Sequence, residues 1–180
     1  MYITTSRNVS KSTKIFAYNL ANFLNSIYEH RGKKSIEDVM ARAEQLGFNR
    51  IIVVSEQKGN PRKLAFINSE KMEWIFPFII FSVPTEYTIK KIRPIKKEVE
   101  ISTEAKTKEK AKIADRIASL FSLPKPYSDD TVKFIVSDNK LEFKYKELKM
   151  KINILYLLER KNNPERNPET KNNQAYNSGN

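Results

Sequence analysis

The sequence predicts a mixed α/β (α+β) fold of two tandem, structurally similar halves, each a small mixed sheet with helices. Three observations support this prediction. Apolar residues recur at positions i, i+4, i+7 and i+8, the spacing of one buried helix face, at Phe16, Leu20, Phe23 and Leu24. The same spacing returns in the second half, at Ile113, Ile117, Leu120 and Phe121. A short β-prone segment precedes each helix, at residues 3–6 and 101–103.

The first half opens with a short strand and two capped helices. After the strand, Ser10 or Ser12 is placed to cap the first helix, because a serine oxygen accepts hydrogen bonds from the free N–H groups there. The second helix begins at Ser35, and Asp38 completes a variant of the capping box. Gly47 is expected to follow its last turn. Both helices therefore carry local start signals.

Three strands complete the first half. Residues 50–54 are almost all apolar, which indicates a strand covered on both faces. Glycine and proline at residues 58–61 predict a turn, and antiparallel strands follow at residues 64–67 and 74–83. Pro77 cannot donate a hydrogen bond to a neighbouring strand, so it is expected at a sheet edge or a bulge.

The second half repeats the strand pattern but lacks a second helix. Strands are expected at residues 132–136, 141–145 and 151–158, with a turn at residues 138–140. We divide the chain into a first half, a basic crossover, a second half and a polar tail, at residues 1–87, 88–97, 98–160 and 161–180. The crossover places five cations in residues 90–97, and the tail has too few apolar residues to stay ordered.

The composition favours a polyanionic partner and excludes several kinds of site. The 180 residues include 33 Lys and Arg against 21 Asp and Glu, a net charge of +12 that favours nucleic acid over a membrane. The absence of cysteine excludes disulfides, thiolate zinc sites and cysteine nucleophiles, and His30 alone cannot form a His-rich metal site. No cofactor is expected. Residues 74–83, the longest apolar stretch, are too few to span a bilayer, and no signal peptide is recognisable, so we expect a cytoplasmic protein.

A candidate phosphate-binding region lies where the opening strand meets the first helix. Hydroxyl groups and three cations surround this junction, where N–H groups and the positive end of the helix dipole favour an anion. A second basic turn follows at residues 31–34, and the expected sheet would bring both turns to one end. The candidate RNA-binding residues are Arg7, Ser10, Lys11, Thr13, Lys14, Arg31, Lys33, Lys34, Lys58 and Arg62. Arg7 and Arg31 are the first choices, because a guanidinium can contact two phosphate oxygens at once.

Each candidate also has a structural alternative. The hydroxyls before the first helix can be simple caps, and the cations can form an ordinary solvated surface. The crossover is equally well explained as a polar connector or as a strand that follows RNA. Phe76, Phe78 and Phe81 could stack on bases, but in so apolar a strand they are expected in the core. The acid pairs at residues 37–38 and 129–130 are expected to cap helices and turns, so no catalytic residue and no metal ligand is assigned.

Motifs of the first half also occur in a recognisable order. They are Thr5, Ser6 and Arg7 with Ser10, Thr13, Lys14 and Phe16, then Arg31 and Gly32 with Lys34, Ser35, Ile36 and Asp38, the strand at residues 51–54, and the turn at residues 58–61. This pattern resembles the Brix domain of ribosome-biogenesis proteins. The compact length is most similar to the archaeal single-domain form, which in turn is similar to the small-subunit-processome branch.

The resemblance implies both a fold and a function. Each half would resemble the anticodon-binding domain of some aminoacyl-tRNA synthetases. The protein would be a non-catalytic ribonucleoprotein factor that binds pre-ribosomal RNA in small-subunit assembly and rRNA processing, beside other assembly proteins and without a membrane or a small-molecule substrate. Two alternatives stay open. One is a protein–protein scaffold of a pre-ribosomal particle, in which the edge formed by residues 74–83 docks a partner, and the other is a stable ribosomal protein.

Overall fold

The computed structural model describes residues 1–83 and 86–160, and it confirms the mixed α/β fold. The strands are β1 (Tyr2–Thr5), β2 (Ile27–Tyr28), β3 (Arg50–Gln57), β4 (Asn60–Asn68), β5 (Glu73–Ser82), β6 (Val99–Thr103), β7 (Val132–Val136), β8 (Lys140–Tyr145) and β9 (Leu148–Leu158). The helices are α1 (Lys11–Phe23), α2 (Ile36–Gln45), α3 (Glu86–Ile89) and α4 (Lys108–Phe121). The expected polar tail at residues 161–180 lies outside the described residues.

All nine strands belong to one mixed sheet, in the order β2, β1, β3, β4, β5, β9, β8, β7, β6. Strand β1 runs parallel to β2 and β3, β6 runs parallel to β7, and the other pairs are antiparallel. The expectation of a small sheet in each half is wrong, because β5 and β9 pair with each other and join the two sets of strands. The structural similarity of the two halves, and of each half to anticodon-binding domains, stays a prediction.

One face of the sheet carries the main core, which α1 and α4 cover. The ring of Phe23 on α1 lies 5.5 Å from that of Phe143 on β8, so the first helix contacts the second half. Phe121 on α4 lies 5.3 Å from Phe66 on β4 and 4.8 Å from Phe134 on β7. All of these side chains are fully buried. The two halves therefore share a single hydrophobic core on this face.

The opposite face is covered only in part. Helix α2 packs Val39, Met40 and Ala43 against β1, β3 and β4, which explains why β3 is apolar on both faces. Of the four described helices, α2 alone lies on this side, since α1, α3 and α4 contribute to the main core. On β5, Phe78 packs against the α2 cluster, but the second face of β9, β8, β7 and β6 has no helix of the described residues above it.

The expected starts of α1 and α2 and the expected end of α2 are confirmed. Ser10 caps α1, and Ser35 and Asp38 form a capping box at the start of α2. Gly47 follows the α2 cap with φ +76°, a left-handed conformation that suits glycine. None of the described helices combines the length and the apolar character needed to cross a bilayer.

Strand β5 departs from the sequence expectation in two respects. Phe81 is buried in the main core as expected, but Phe76 and Phe78 are only half-buried, and their rings stack 4.3 Å apart. Pro77 occupies an irregular stretch of the β4–β5 pairing, which confirms the expected bulge. Residues 78–82 pair with β9 on the second side, so the expectation of a free edge along residues 74–83 is wrong over that part.

The basic crossover contains neither helix nor strand over residues 90–97 but is fixed by a buried asparagine. The Asn19 side chain on α1 donates to the carbonyls of Tyr87 and Lys90 at 3.0 and 2.9 Å. The backbone N–H of Ile92 donates to its Oδ1 at 2.9 Å. Asn19 therefore fixes the path of the chain between the two halves, a role that sequence reasoning did not identify.

Candidate nucleic-acid interface

Three loops meet at one end of the first-half sheet. The carboxyl ends of β1, β2 and β3 lie at the same end because these strands are parallel. The loops that follow them are residues 6–10 before α1, residues 29–35 before α2, and the β3–β4 turn at residues 58–59. Hydroxyls of Ser10 and Ser12 lie 2.8 and 2.7 Å from the carbonyl oxygen of Gly59, so the start of α1 is tied to that turn.

Two arginines converge on a single backbone carbonyl in this region. Nε of Arg7 donates to the carbonyl oxygen of Lys34 at 3.2 Å, and Nε of Arg31 donates to the same atom at 3.1 Å. Within residues 1–83 and 86–160, neither guanidinium forms an ion pair with a carboxylate. Burial lowers the pKa of Arg31, the neighbouring Arg7 charge lowers it further, and Glu37 partly opposes both. Two positive charges are thus held together, and a bound anion would relieve their repulsion.

The Lys34 side chain has a different role from the one expected. Its ammonium group forms an ion pair with Glu29, whose second oxygen lies 3.7 Å from Nε of Arg42. Lys34 therefore contributes its carbonyl oxygen to the two arginines, while its own charge is neutralised by Glu29. The expectation that its ammonium group contacts phosphate is not supported by this geometry.

The N-terminus of α1 is occupied by a carboxylate of the protein itself. Oε2 of Glu56, at the end of β3, accepts hydrogen bonds from the Ser10 N–H and the Thr13 hydroxyl, both at 2.8 Å. The Ser10 hydroxyl also lies 2.7 Å from this oxygen. Burial by itself would raise the pKa of Glu56, but hydrogen bonds from Ser10 and Thr13 and the charge of Lys14 outweigh it and lower the pKa.

This carboxylate corrects the assignment of Ser10 and Thr13. Thr13 is fully buried, and both hydroxyls and the Ser10 N–H are engaged inside the protein. They cannot bind phosphate in this arrangement, because Glu56 already holds the position that an anion would take at the helix start. Sequence reasoning missed Glu56, since no local pattern links it to a helix more than forty residues away.

The remaining cations surround the same three loops. Lys11, Lys33 and Lys58 are exposed, and Lys14 is half-buried. Arg62 is the unpaired extra residue of a bulge in β4 and is half-buried. None of these five pairs with a carboxylate within the part of the chain that the structure describes. We call the following set the basic end: Arg7, Lys11, Lys14, Arg31, Lys33, Lys58 and Arg62.

Acidic groups near the basic end serve the helices. Asp38 accepts the Ser35 N–H at 2.8 Å, and hydrogen bonds with that residue lower the pKa of its carboxyl, with a smaller contribution from Arg7. Across the described residues, no three His, Cys, Asp or Glu side chains are placed to hold a metal ion. The arrangement is therefore suited to bind a polyanion through side-chain cations.

Comparisons with curated proteins agree with the resemblance. A relative from Thermococcus kodakarensis is 33% identical over 104 residues, which are 55% of this chain and 50% of the relative. One from Archaeoglobus fulgidus is 46% identical over 59 residues, 33% of this chain and 35% of the relative. One from Methanococcoides burtonii is 26% identical over 170 residues, 90% of this chain and 95% of the relative. Each is named a probable Brix domain-containing ribosomal biogenesis protein.

The curated homologues are archaeal Brix-domain proteins. The aligned part of this chain spans about half the length of the relatives from Thermococcus kodakarensis and Pyrococcus furiosus. No protein-family model matches the chain. The suspected resemblance to Brix-domain ribosome-biogenesis proteins is confirmed by these relatives.

Solved structures show the same fold. The crystal structure of an archaeal Imp4-like protein matches with a TM-score of 0.64 and 22% identity, over 89% of this chain and 100% of the other. The structure of a probable ribosomal biogenesis protein from Aeropyrum pernix K1 matches with a TM-score of 0.65 and 18% identity, over 88% of this chain and 98% of the other. The chain therefore shares the fold of these two proteins over nearly nine-tenths of its length.

Proposed function

We propose that this chain is an RNA-binding ribosome-biogenesis factor that acts on pre-ribosomal RNA in small-subunit assembly and rRNA processing, and that it is not an enzyme. One observation carries the proposal. Arg7 and Arg31 are held by one carbonyl oxygen with no carboxylate partner among the described residues. The names of the homologues support the ribosome-biogenesis part.

The two arginines would bind the RNA backbone directly. Each uses Nε to hold the Lys34 carbonyl, which leaves its two terminal nitrogens for phosphate oxygens. Lys11, Lys33 and Lys58 are exposed around them and would add positive charge through contacts that are less directional than those of arginine. Such contacts fix the position of RNA without reading its sequence. The proposed action is therefore to stabilise a fold of pre-ribosomal RNA in the cytoplasm, with specificity supplied by the shape of the RNA and by partner proteins.

A salt titration of the purified protein on a pre-ribosomal RNA fragment tests this proposal. If about six phosphates are contacted, a plot of the logarithm of the binding constant against the logarithm of the salt concentration should have a slope of about −4. Affinity should then fall about 300-fold between 50 and 200 mM salt. A flat titration would contradict the proposal. The same RNA incubated with protein and magnesium should stay intact, and cleavage would refute the non-catalytic part.

A protein–protein scaffold is the second candidate. The observation in its favour is the exposed apolar group formed by Trp74, Tyr156 and Leu158. A scaffold would require a partner before it shifts RNA in a gel, whereas the proposed factor shifts RNA alone. Stable co-sedimentation with mature subunits would instead indicate a ribosomal protein.

A further inference from the structure

The second face of the sheet, beyond α2, displays aromatic rings at one end. Leu158 lies opposite Phe78, and Tyr156 lies opposite Ile80, so these four side chains project from the same face. The ring of Trp74 lies 5.6 Å from that of Phe78, which stacks on Phe76. Trp74 is 42% exposed and Tyr156 is 57% exposed. We call Trp74, Phe76, Phe78 and Tyr156 the aromatic end of this face.

The other end of the same face displays lysines around a nearly buried carboxylate. Glu142 on β8 has a side chain that is only 6% exposed, and its oxygens lie 2.8, 2.9 and 3.2 Å from the ammonium groups of Lys140, Lys149 and Lys144. Burial alone would raise the pKa of Glu142, but these three lysines outweigh it and lower the pKa to about 2. Because three cations share one carboxylate, the cluster stays net positive. We call Lys140, Lys144, Lys149 and Lys151 the lysine end.

Strand β9 connects the two ends without interruption. Tyr156 and Asn153 line the open face across a bulge, and Lys151 and Lys149 continue it, directly opposite Glu142 and Lys144. At about 3.3 Å per residue this track is roughly 25–30 Å long. That length accommodates at least about four nucleotides, the lower limit of known single-strand sites.

We propose that this open face is a second interface, which binds single-stranded nucleic acid by stacking bases on the aromatic end and holding phosphates on the lysine end. The combination of exposed rings and a positive cluster along one track selects this occupant, because apolar docking of a protein would not require the lysines. The face is separate from the basic end, so the inference goes beyond the proposed function and does not depend on it. Unpaired segments of an RNA whose structured part binds elsewhere would fit this surface.

Fluorescence anisotropy with the full chain and a labelled oligouridine of about 12 nucleotides tests the inference. Trp74→Ala and Tyr156→Ala should each weaken binding about 10-fold, the loss expected for one stacked base. Tyr156→Phe keeps the ring and should bind like the unchanged protein. The matched control is Tyr127→Ala, since Tyr127 is 98% exposed on the loop between α4 and β7 and belongs to neither the aromatic end nor the lysine end. It should leave affinity unchanged.

A second variant tests the lysine end independently of the rings. Glu142→Gln removes the one carboxylate shared by three lysines, so oligouridine should bind several-fold more tightly and with a steeper salt dependence. A purely structural role of Glu142 would lower thermal stability without raising affinity.

Photocrosslinking gives a readout that does not depend on the folding of variants. An oligomer containing 4-thiouridine should crosslink to peptides of β5 and β9. Crosslinks that map only to other strands, or unchanged affinity of both alanine variants, would overturn the inference. It would also be overturned if those variants bound RNA normally but lost a protein from pre-ribosomal particles. Failure of arginine substitutions at the basic end would count only against the proposed function.

Discussion

Removing Arg7 and Arg31 together is the most direct test of the basic end. Both side chains lie at the surface of the loops before α1 and α2, and both Nε atoms donate to one carbonyl oxygen. The loop before α2 keeps the backbone hydrogen bond from Lys34 N–H to Arg31 O and the capping box at Ser35. The variant Arg7→Ala with Arg31→Ala should therefore fold like the unchanged protein.

The expected loss in affinity follows from the number of phosphate contacts. Hydrogen bonds to charged groups contribute about 1.5–3 kcal/mol, and solvent-exposed contacts lie at or below the lower limit. At about 1 kcal/mol for each arginine, the double variant should bind a pre-ribosomal RNA fragment about 30-fold more weakly. Losing two of about six contacts should also reduce the salt slope, so that affinity falls about 50-fold rather than about 300-fold between 50 and 200 mM salt.

The assay compares two double variants with the same change in charge. Fluorescence anisotropy at both salt concentrations, with thermal unfolding as the check on folding, is applied to the arginine variant and to Lys112→Ala with Lys125→Ala. These lysines are exposed on α4 and on the loop after it, away from the three converging loops. An equal loss in both variants would show that only net charge matters, and the basic end would then have no special role. Unchanged affinity of the arginine variant would refute the proposed role of the basic end in RNA binding.

Two further predictions concern stability. Asn19→Ala removes three hydrogen bonds that fix the crossover and should lower the free energy of unfolding by about 2–4 kcal/mol in urea titrations, whereas a loss below about 1 kcal/mol would show that the crossover is held by other contacts. Glu142 and Glu56 both have lowered pKa values in the folded protein. Their contributions to the free energy of unfolding are therefore complete above the pKa of the unfolded state and are lost as pH falls. For Glu142 this stability is lost between about pH 4.5 and about pH 2, and the loss in the free energy of unfolding is at most about 3 kcal/mol. The free energy of unfolding of Glu142→Gln should accordingly vary less between pH 5 and pH 3 than that of the unchanged protein. An identical pH dependence would contradict the stabilising role assigned to Glu142.

Local signals explain which elements were predictable. The caps at Ser10 and Ser35 and the glycine at position 47 act within one helix turn, so residue types place them closely, although Ser10 and Ser12 could not be told apart. Strand β2 has two residues and α3 has four, which is too short for any periodicity to be recognised. The pairing of β5 with β9 joins segments about seventy residues apart, and no local pattern specifies it.

Some features of the candidate site could likewise be predicted from the sequence, and others could not. The sequence allowed us to anticipate that the loops carrying Arg7 and Arg31 meet at one end of the sheet. The parallel pairing of β1 with β2 and β3, which brings them there, was not predicted. The occupation of the α1 start by Glu56 required three-dimensional information. So did the position of Phe76 and Phe78, because an apolar strand pattern does not tell how many helices cover each face of a sheet.

Glu56 also bears on how the two proposed interfaces would differ. Because this carboxylate accepts the Ser10 N–H and places a negative charge at the start of α1, we expect binding at the basic end to depend mainly on side-chain cations. Such binding is driven by release of counterions and weakens steeply with salt. Base stacking on Trp74 and Tyr156 would respond much less to salt, because it does not displace counterions. Raising the salt should therefore weaken binding at both interfaces, because the lysine end also holds phosphates, while the separate contribution of the aromatic rings to oligouridine binding persists.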